Sequence, residues 1–206
     1  MGKIETRLAY YRSIIARLVH SIRRSHDALM HPLRRRRAHN ALQSHAAPAS
    51  VLFLCLGNIC RSPFAARAFE RALPPGLRAK LKVISAGLIG PDRPTPPEGV
   101  TVASALGVNL SAHRSQLLTA EHLSGADLLV VMEPRQSLVL QRRFGVDERS
   151  ILVLADLDPE PIEIRAILDP VEQPIEVFEA CYRRIQRCTL ELARALSRSS
   201  EPPRAE

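Results

Sequence analysis

No run of about eighteen or more apolar residues occurs in the 206-residue chain, so no segment reads as a membrane-spanning helix. The start lacks the uninterrupted apolar stretch and small-residue cleavage site of a secretory signal, and none is expected. Cysteine is scarce. Cys55, Cys60, Cys181 and Cys188 are too few and too unevenly spread for the disulfide framework of a small secreted domain, which points to a reducing, cytoplasmic setting. No cysteine and histidine spacing matches a zinc site, and no metal or other cofactor is expected. Acids are nearly missing from the first fifty residues, where ten Lys/Arg face only Glu5 and Asp27. The other 156 residues hold nineteen of each sign, so the formal charge of +8 belongs to the amino-terminal segment. The rest offers no basic field to a polyanion, no RNA or DNA motif surrounds residues 34–37, and no nucleic-acid partner is expected.

What the chain does have is 46% hydrophobic side chains, enough at this length for one sizeable core. In residues 1–49 apolar side chains recur at Ile4, Leu8, Tyr11, Ile15, Leu18 and Ile22 with arginines between them, which predicts a basic helix over about 4–29. Proline, four consecutive arginines and small polar residues follow in "HPLRRRRAHNALQSHAAPAS" and read as a flexible connection. The helix is open to several roles: peripheral contact of residues 4–29 with an anionic membrane, packing on its own domain or a partner, or an arginine-rich targeting segment. The opening "MGKIET" also fits the loose pattern for myristoylation.

From residue 50 to about 198, short β-rich runs alternate with helical patterns. VLFL precedes a helix from Ser62, LKVIS a helix over 97–106, DLLVVM a helix over 134–144, and ILVL a final helix over about 175–197. Strands apolar on both faces, each followed by a helix, predict a parallel sheet covered on both sides. Residues 199–206, "SSEPPRAE", read as a disordered tail.

The stretch "VLFLCLGNICRSPFAARAF" carries the chemistry. With VLFL as a strand and Ser62 as N-cap ahead of Pro63, Cys55 to Arg61 form the turn at the carboxyl end of a strand, where open α/β sheets bind ligands. Gly57 and Asn58, free to adopt positive φ, let Leu56, Gly57, Asn58, Ile59, Cys60, Arg61 and Ser62 curl their amides around an oxyanion, and Arg61 adds a fork matched to phosphate oxygens. The same field favours Cys55 as thiolate, a nucleophile placed under a bound phosphate. Cys181 and Cys188, seven apart on one helix, are about 10.5 Å apart along its axis, too far for a disulfide, and read as core.

The run "VLFLCLGNICRSP" resembles the signature of the low-molecular-weight protein tyrosine phosphatases, and the similarity extends from Val51 to about Leu196. It implies a three-layer α/β sandwich, flavodoxin-like, with a four-stranded parallel sheet flanked by helices, here preceded by an N-terminal helix. It implies Cys55 as nucleophile, Arg61 as phosphate ligand, Ser62 as donor to the thiolate, and Asn58 held by Ser85 of "VISAGL" and His113 of "LSAHRSQ". The family's general acid lies in an Asp-Pro motif before the last helix. Asp158 and Asp169 both precede proline, and the family's phenylalanine nine residues on, matched by Phe178, selects Asp169. Val171 stands where the family usually has tyrosine, and the loop after Ser85 lacks its frequent aromatic, so the walls for a substrate ring are thinner. Cys60 is either a filler behind the loop or, as the resemblance implies, a redox partner of Cys55.

The expected activity is hydrolysis of protein phosphotyrosine through a phosphocysteine on Cys55, with Asp169 as acid and base. Arsenate reduction and a non-catalytic phosphate-binding adaptor are the alternatives, and phosphoarginine hydrolysis is a further rival opposed by Ile59, where such relatives tend to carry threonine. By analogy with the family, a bacterial tyrosine kinase of polysaccharide export would be the natural protein partner.

Overall fold

Why the strand at residue 51 lies mid-sheet follows from its composition: Ser50–Cys55 alternates side chains to opposite faces, yet all six residues are buried. The computed structural model describes the backbone of residues 2–44 and 48–199, and all side chains within that span except those of residues 2–18, 20 and 44. The four strands, β1 Ser50–Cys55, β2 Lys82–Gly87, β3 Leu128–Val131 and β4 Ile151–Val153, form one parallel sheet in the order β2-β1-β3-β4. Val51 pairs with Val83 on one side and Leu128 on the other, and Leu129 with Ile151. Each strand lies within a residue or two of its expected place.

The helices are α1 Gly2–Ser44, α2 Arg61–Ala72, α3 Pro75–Arg78, α4 Pro97–Ala105, α5 Ala120–Ser124, α6 Pro134–Phe144 and α7 Ile175–Ser199. The two short ones, α3 and α5, escape sequence reading because neither has length enough for periodicity. Phe64 of α2 stacks on Tyr182 of α7 with ring centroids 4.1 Å apart, and Phe178 meets Tyr182 edge-on at 6.2 Å. Such ring pairs each contribute about 0.5–1.5 kcal/mol beyond their burial. Cys181 and Cys188 are buried free thiols of this core. Gly145, with φ +67, closes α6 as its left-handed cap.

One expectation is corrected. The flexible connection expected from residue 31 is helical to Ser44, continuous with the amino-terminal helix and with Pro32 inside it. The reason is tertiary. Ala38 and Leu42, one turn apart, are buried against the domain, Arg35 pairs with Glu191 of α7 at 2.8 Å, and Ser199 donates to the Leu42 carbonyl at 3.1 Å. These contacts outweigh a prolyl ring and a missing amide, together worth about 3 kcal/mol against a helix interior. At the other end α7 runs to Ser199, and residues 200–206 of the expected tail lie outside the described residues. Among the described residues no helix is long and apolar enough to cross a membrane.

Candidate active site

The strand order reverses at β1, and the segment leaving its carboxyl end, residues 55–61, sits at that switch point. Its path is fixed by Asn58, which takes the left-handed conformation at φ 51. Gly57 keeps an ordinary negative φ, contrary to the sequence expectation; what it supplies is room, since a Cβ there would stand 2.6 Å from Arg93 Nη2. Gly87 at the end of β2 lets the loop lie close, because a Cβ would meet Asn58 N and the Gly57 carbonyl carbon at 2.9 Å.

Asn58 ties the loop to its surroundings. Its side-chain amide donates to Ser62 Oγ and Ser85 Oγ, both at 2.9 Å, its Oδ1 accepts from the Gln116 amide at 2.8 Å, and its carbonyl lies 2.7 Å from His113 Nε2. A carbonyl only accepts, so that ring nitrogen carries the proton. Ser85 and His113, which the family resemblance implies as partners of Asn58, both stand against it, and Gln116 joins them through a backbone contact that leaves no side-chain signature.

Cys55, 2% exposed, lies under the loop. The Asn58 amide and the Ser62 hydroxyl both reach its Sγ at 3.1 Å, two donors that stabilise charge on sulfur. Ser62 is not the N-cap the sequence suggests. The helix begins at Arg61 after Cys60, with no side-chain cap, because the Ser62 hydroxyl is engaged by the sulfur instead. The amides of Gly57, Ile59 and Cys60 have no hydrogen-bond partner among the described residues. Unpaired donors in a concavity ahead of a helix amino terminus suit an anion. Leu56 is the exposed lip of the loop, whereas Ile59 and Cys60 turn inward. Burial first, then the charge of Asp169, pushes the Cys60 thiol well above the ordinary range, and burial pushes Cys181 up to about 12. Both are therefore neutral thiols at pH 7.

Arg61 is 1% exposed, and its charge is held by neighbours on two other elements. Nη1 donates to Glu133 Oε1 at 2.5 Å and to the Ile167 carbonyl at 3.0 Å, and Nη2 donates to Asp169 Oδ2. Burial alone would lower its pKa; Cys55, Asp169 and Glu133 more than reverse this. Its Nε is buried without a hydrogen-bond partner, a costly state for a donor. Glu133 is a site residue that the sequence did not reveal. It caps α6 and shares a capping box with Gln136, so "MEPRQ" reads locally as nothing more than a helix start. Of the two Asp-Pro pairs, Asp169 stands on Arg61 with 35% of its side chain exposed. Asp158 is fully buried between Arg184 and Arg187, where it can reach no ligand. Structure thus brings Cys55, Asn58, Arg61, Ser62, Ser85, His113 and Asp169 into one site.

Residues 50–201 match the family model for low molecular weight phosphotyrosine protein phosphatases. The chain belongs to that family. It is 34% identical over 139 residues to the probable low molecular weight protein-tyrosine-phosphatase EpsP of Ralstonia nicotianae, covering 67% of this chain and 89% of that protein. To the low molecular weight protein-tyrosine-phosphatase Etp of Escherichia coli it is 33% identical over 150 residues, 72% of this chain and 95% of that one. The crystal structure of the tyrosine phosphatase AmsI of Erwinia amylovora superposes with a TM-score of 0.66 at 28% identity, covering 75% of this chain and 97% of that one. The arginine phosphatase YwlE of Geobacillus stearothermophilus gives a TM-score of 0.64, also at 28% identity, over 73% and 94%. As a member of this phosphatase family the chain is a hydrolase, and its fold is the family's parallel sandwich with α1 added in front.

Proposed function

We propose that the protein hydrolyses phosphotyrosine on a protein substrate, through a phosphocysteine on Cys55. The observation that carries this is the pair of donors, Asn58 N–H and Ser62 O–H, aimed at Cys55 Sγ beneath a ring of unpartnered amides and beside the free Nε of Arg61. A phosphate seated there places phosphorus against sulfur. Glu133 and the Ile167 carbonyl hold Arg61 by Nη1, which leaves Nε for a phosphate oxygen, with Nη2 joining it once Asp169 turns from Arg61 to the substrate. The thiolate attacks, forming the S–P bond as the P–O bond breaks, and Asp169 gives its proton to the departing phenolic oxygen. Asp169 then takes a proton from water as that water attacks phosphorus, breaking S–P and returning the thiolate with release of inorganic phosphate.

Turnover of phosphotyrosine, phosphoserine and phosphoarginine peptides, with single variants, tests this. Cys55→Ser should abolish turnover and keep phosphate binding; Asp169→Asn should lose about 10² to 10⁴ in rate. Phosphotyrosine should lead the panel, because inward-facing Ile59 narrows the loop. Full turnover in Cys55→Ser refutes the proposal, and a preference for phosphoarginine would move the protein toward the specificity that YwlE's name records.

By analogy with the family the substrate protein is taken to be a bacterial tyrosine kinase of polysaccharide export, and the setting cytoplasmic. The outward face of α1 is read as a peripheral contact with an anionic membrane. Val19, Ile22, Leu29 and Leu33 are exposed there, at 67% and 80% for Ile22 and Leu29, with exposed Arg23, Arg36 and Arg37 beside them. An apolar stripe flanked by arginines is the pattern of helices that lie in the interface plane.

A further inference from the structure

Asp169 sits near the end of an irregular segment, residues 158–174, between the 3-10 turn Leu154–Leu157 and α7. Connections of that length without secondary structure are uncommon and are held by something else. Here they are held from two sides. On the α7 side, Arg184 donates to Asp158 Oδ2, to the Ile164 carbonyl and to the Ala166 carbonyl, at 2.8–3.0 Å. On the other side stands α1. Asp27 Oδ2 accepts the Arg165 amide at 3.0 Å, His31 Nε2 reaches the Asp158 carbonyl at 2.9 Å, and Arg24 pairs with Glu163.

Asp27 is well made for this work. Burial would raise its carboxyl, but the Arg165 amide and the Arg34 guanidinium prevail and hold it below the usual carboxylate range. His31 is 5% exposed, so the contact it makes is shielded from water. From Arg165 the chain needs two residues to reach Ile167, whose amide donates to the Met132 carbonyl at 2.9 Å and whose carbonyl accepts from Arg61. Asp169 follows two residues later. The family model begins at residue 50, so α1 is additional to what the family shares.

We propose that α1 is a positioning strut of the active site, with Asp27 and His31 fixing the segment that presents Asp169. The proposal rests on the reading of Asp169 as general acid. A proton donor has to stand within hydrogen-bond reach of the leaving oxygen, and a misplacement of about 1 Å costs up to about 10² in rate. Neither α1 residue touches substrate; both act through the main chain of residues 158–165.

The test compares kcat/KM of the full-length protein on phenyl phosphate, whose leaving group needs a proton, and 2,4-dinitrophenyl phosphate, whose leaving group does not. Asp27→Ala should lose about tenfold on phenyl phosphate and less than about twofold on the dinitrophenyl ester, a reduced copy of the selectivity of Asp169→Asn. Asp27→Asn keeps an oxygen for the Arg165 amide and should recover most of the loss. If Asp27→Ala does not fold, His31→Phe, which removes the donor to the Asp158 carbonyl and keeps a buried ring, is read by the same ratio. With Asp169→Asn selective, equal losses on both esters, or none on either, overturn the strut. An unselective Asp169→Asn overturns the acid assignment, and the strut with it.

Discussion

Asn58 is held through its side chain, its amide and its carbonyl, and His113 is the imidazole among its partners. Burial lowers the pKa of His113, the Asn58 carbonyl pulls it back up, and Arg67 and Arg114 lower it further, with a net fall. The folded protein therefore binds fewer protons at this ring than the unfolded chain does. Its contribution to stability is complete above the free imidazole value of about 6.5 and drains away as pH falls below that. His113→Gln, which keeps a donor for Asn58 and cannot titrate, should lose less melting temperature between pH 7.5 and pH 5 than the parent protein; equal losses would show that His113 does not carry the effect. At this scale the sequence was informative wherever function is written into one contiguous run. Cys55, Asn58, Arg61 and Ser62 fall within eight positions between a strand pattern and a helix start, which suggests an anion loop, and the family resemblance implies the parts of Asn58 and Ser62 in it. Glu133 comes from 72 residues further on, under the disguise of a helix cap, and only the folded chain brings it to Arg61. Ser62 was misjudged for the related reason that two good roles compete for one hydroxyl, and the sulfur takes it.

Among the elements, those whose own residues state their burial were legible: β1, β3, α6 and α7 stand within a residue or two of the apolar patterns that predict them. The second half of α1 was not. Pro32 and residues 34–37 argue locally for a break, and what overrides them, Glu191, Asp158 and the carboxyl end of α7, lies more than 120 residues away. Pro32 remains a local liability with an exposed side chain. Pro32→Ala restores an amide and removes the ring clash, worth about 3 kcal/mol, while loosening the unfolded chain by about 0.4–1 kcal/mol. The net gain of about 2 kcal/mol should raise hydrogen-exchange protection of α1 amides by about thirtyfold. Unchanged protection would mean that the helix bends to absorb the proline without loss.

For the molecule as a whole, net charge is segregated rather than spread evenly. Residues 50–206 carry equal numbers of acids and bases, and the excess of +8 lies on α1, beside its exposed leucine and isoleucine stripe. Binding of the full-length protein to vesicles of phosphatidylcholine with about 30% phosphatidylserine should be strong at low salt and fall steeply toward 0.5 M salt, with little binding to neutral vesicles. Ile22→Glu combined with Leu29→Glu should weaken it further, since two exposed apolar side chains are replaced by charges of the same sign as the lipid. Salt-independent binding, or none, would leave the stripe without a membrane role.

The placement of α1 also bears on the order in which the protein is made. The helix is synthesised before the surfaces it leans on, residues 158–165 and α7, which lie more than 120 residues further along the chain. A basic, half-apolar rod is therefore made ahead of the surfaces that receive it, and its docking waits for the final helix. A chain cut short before α7 would lack Glu191 and the arginines that hold Asp158, and with them the surface on which α1 packs.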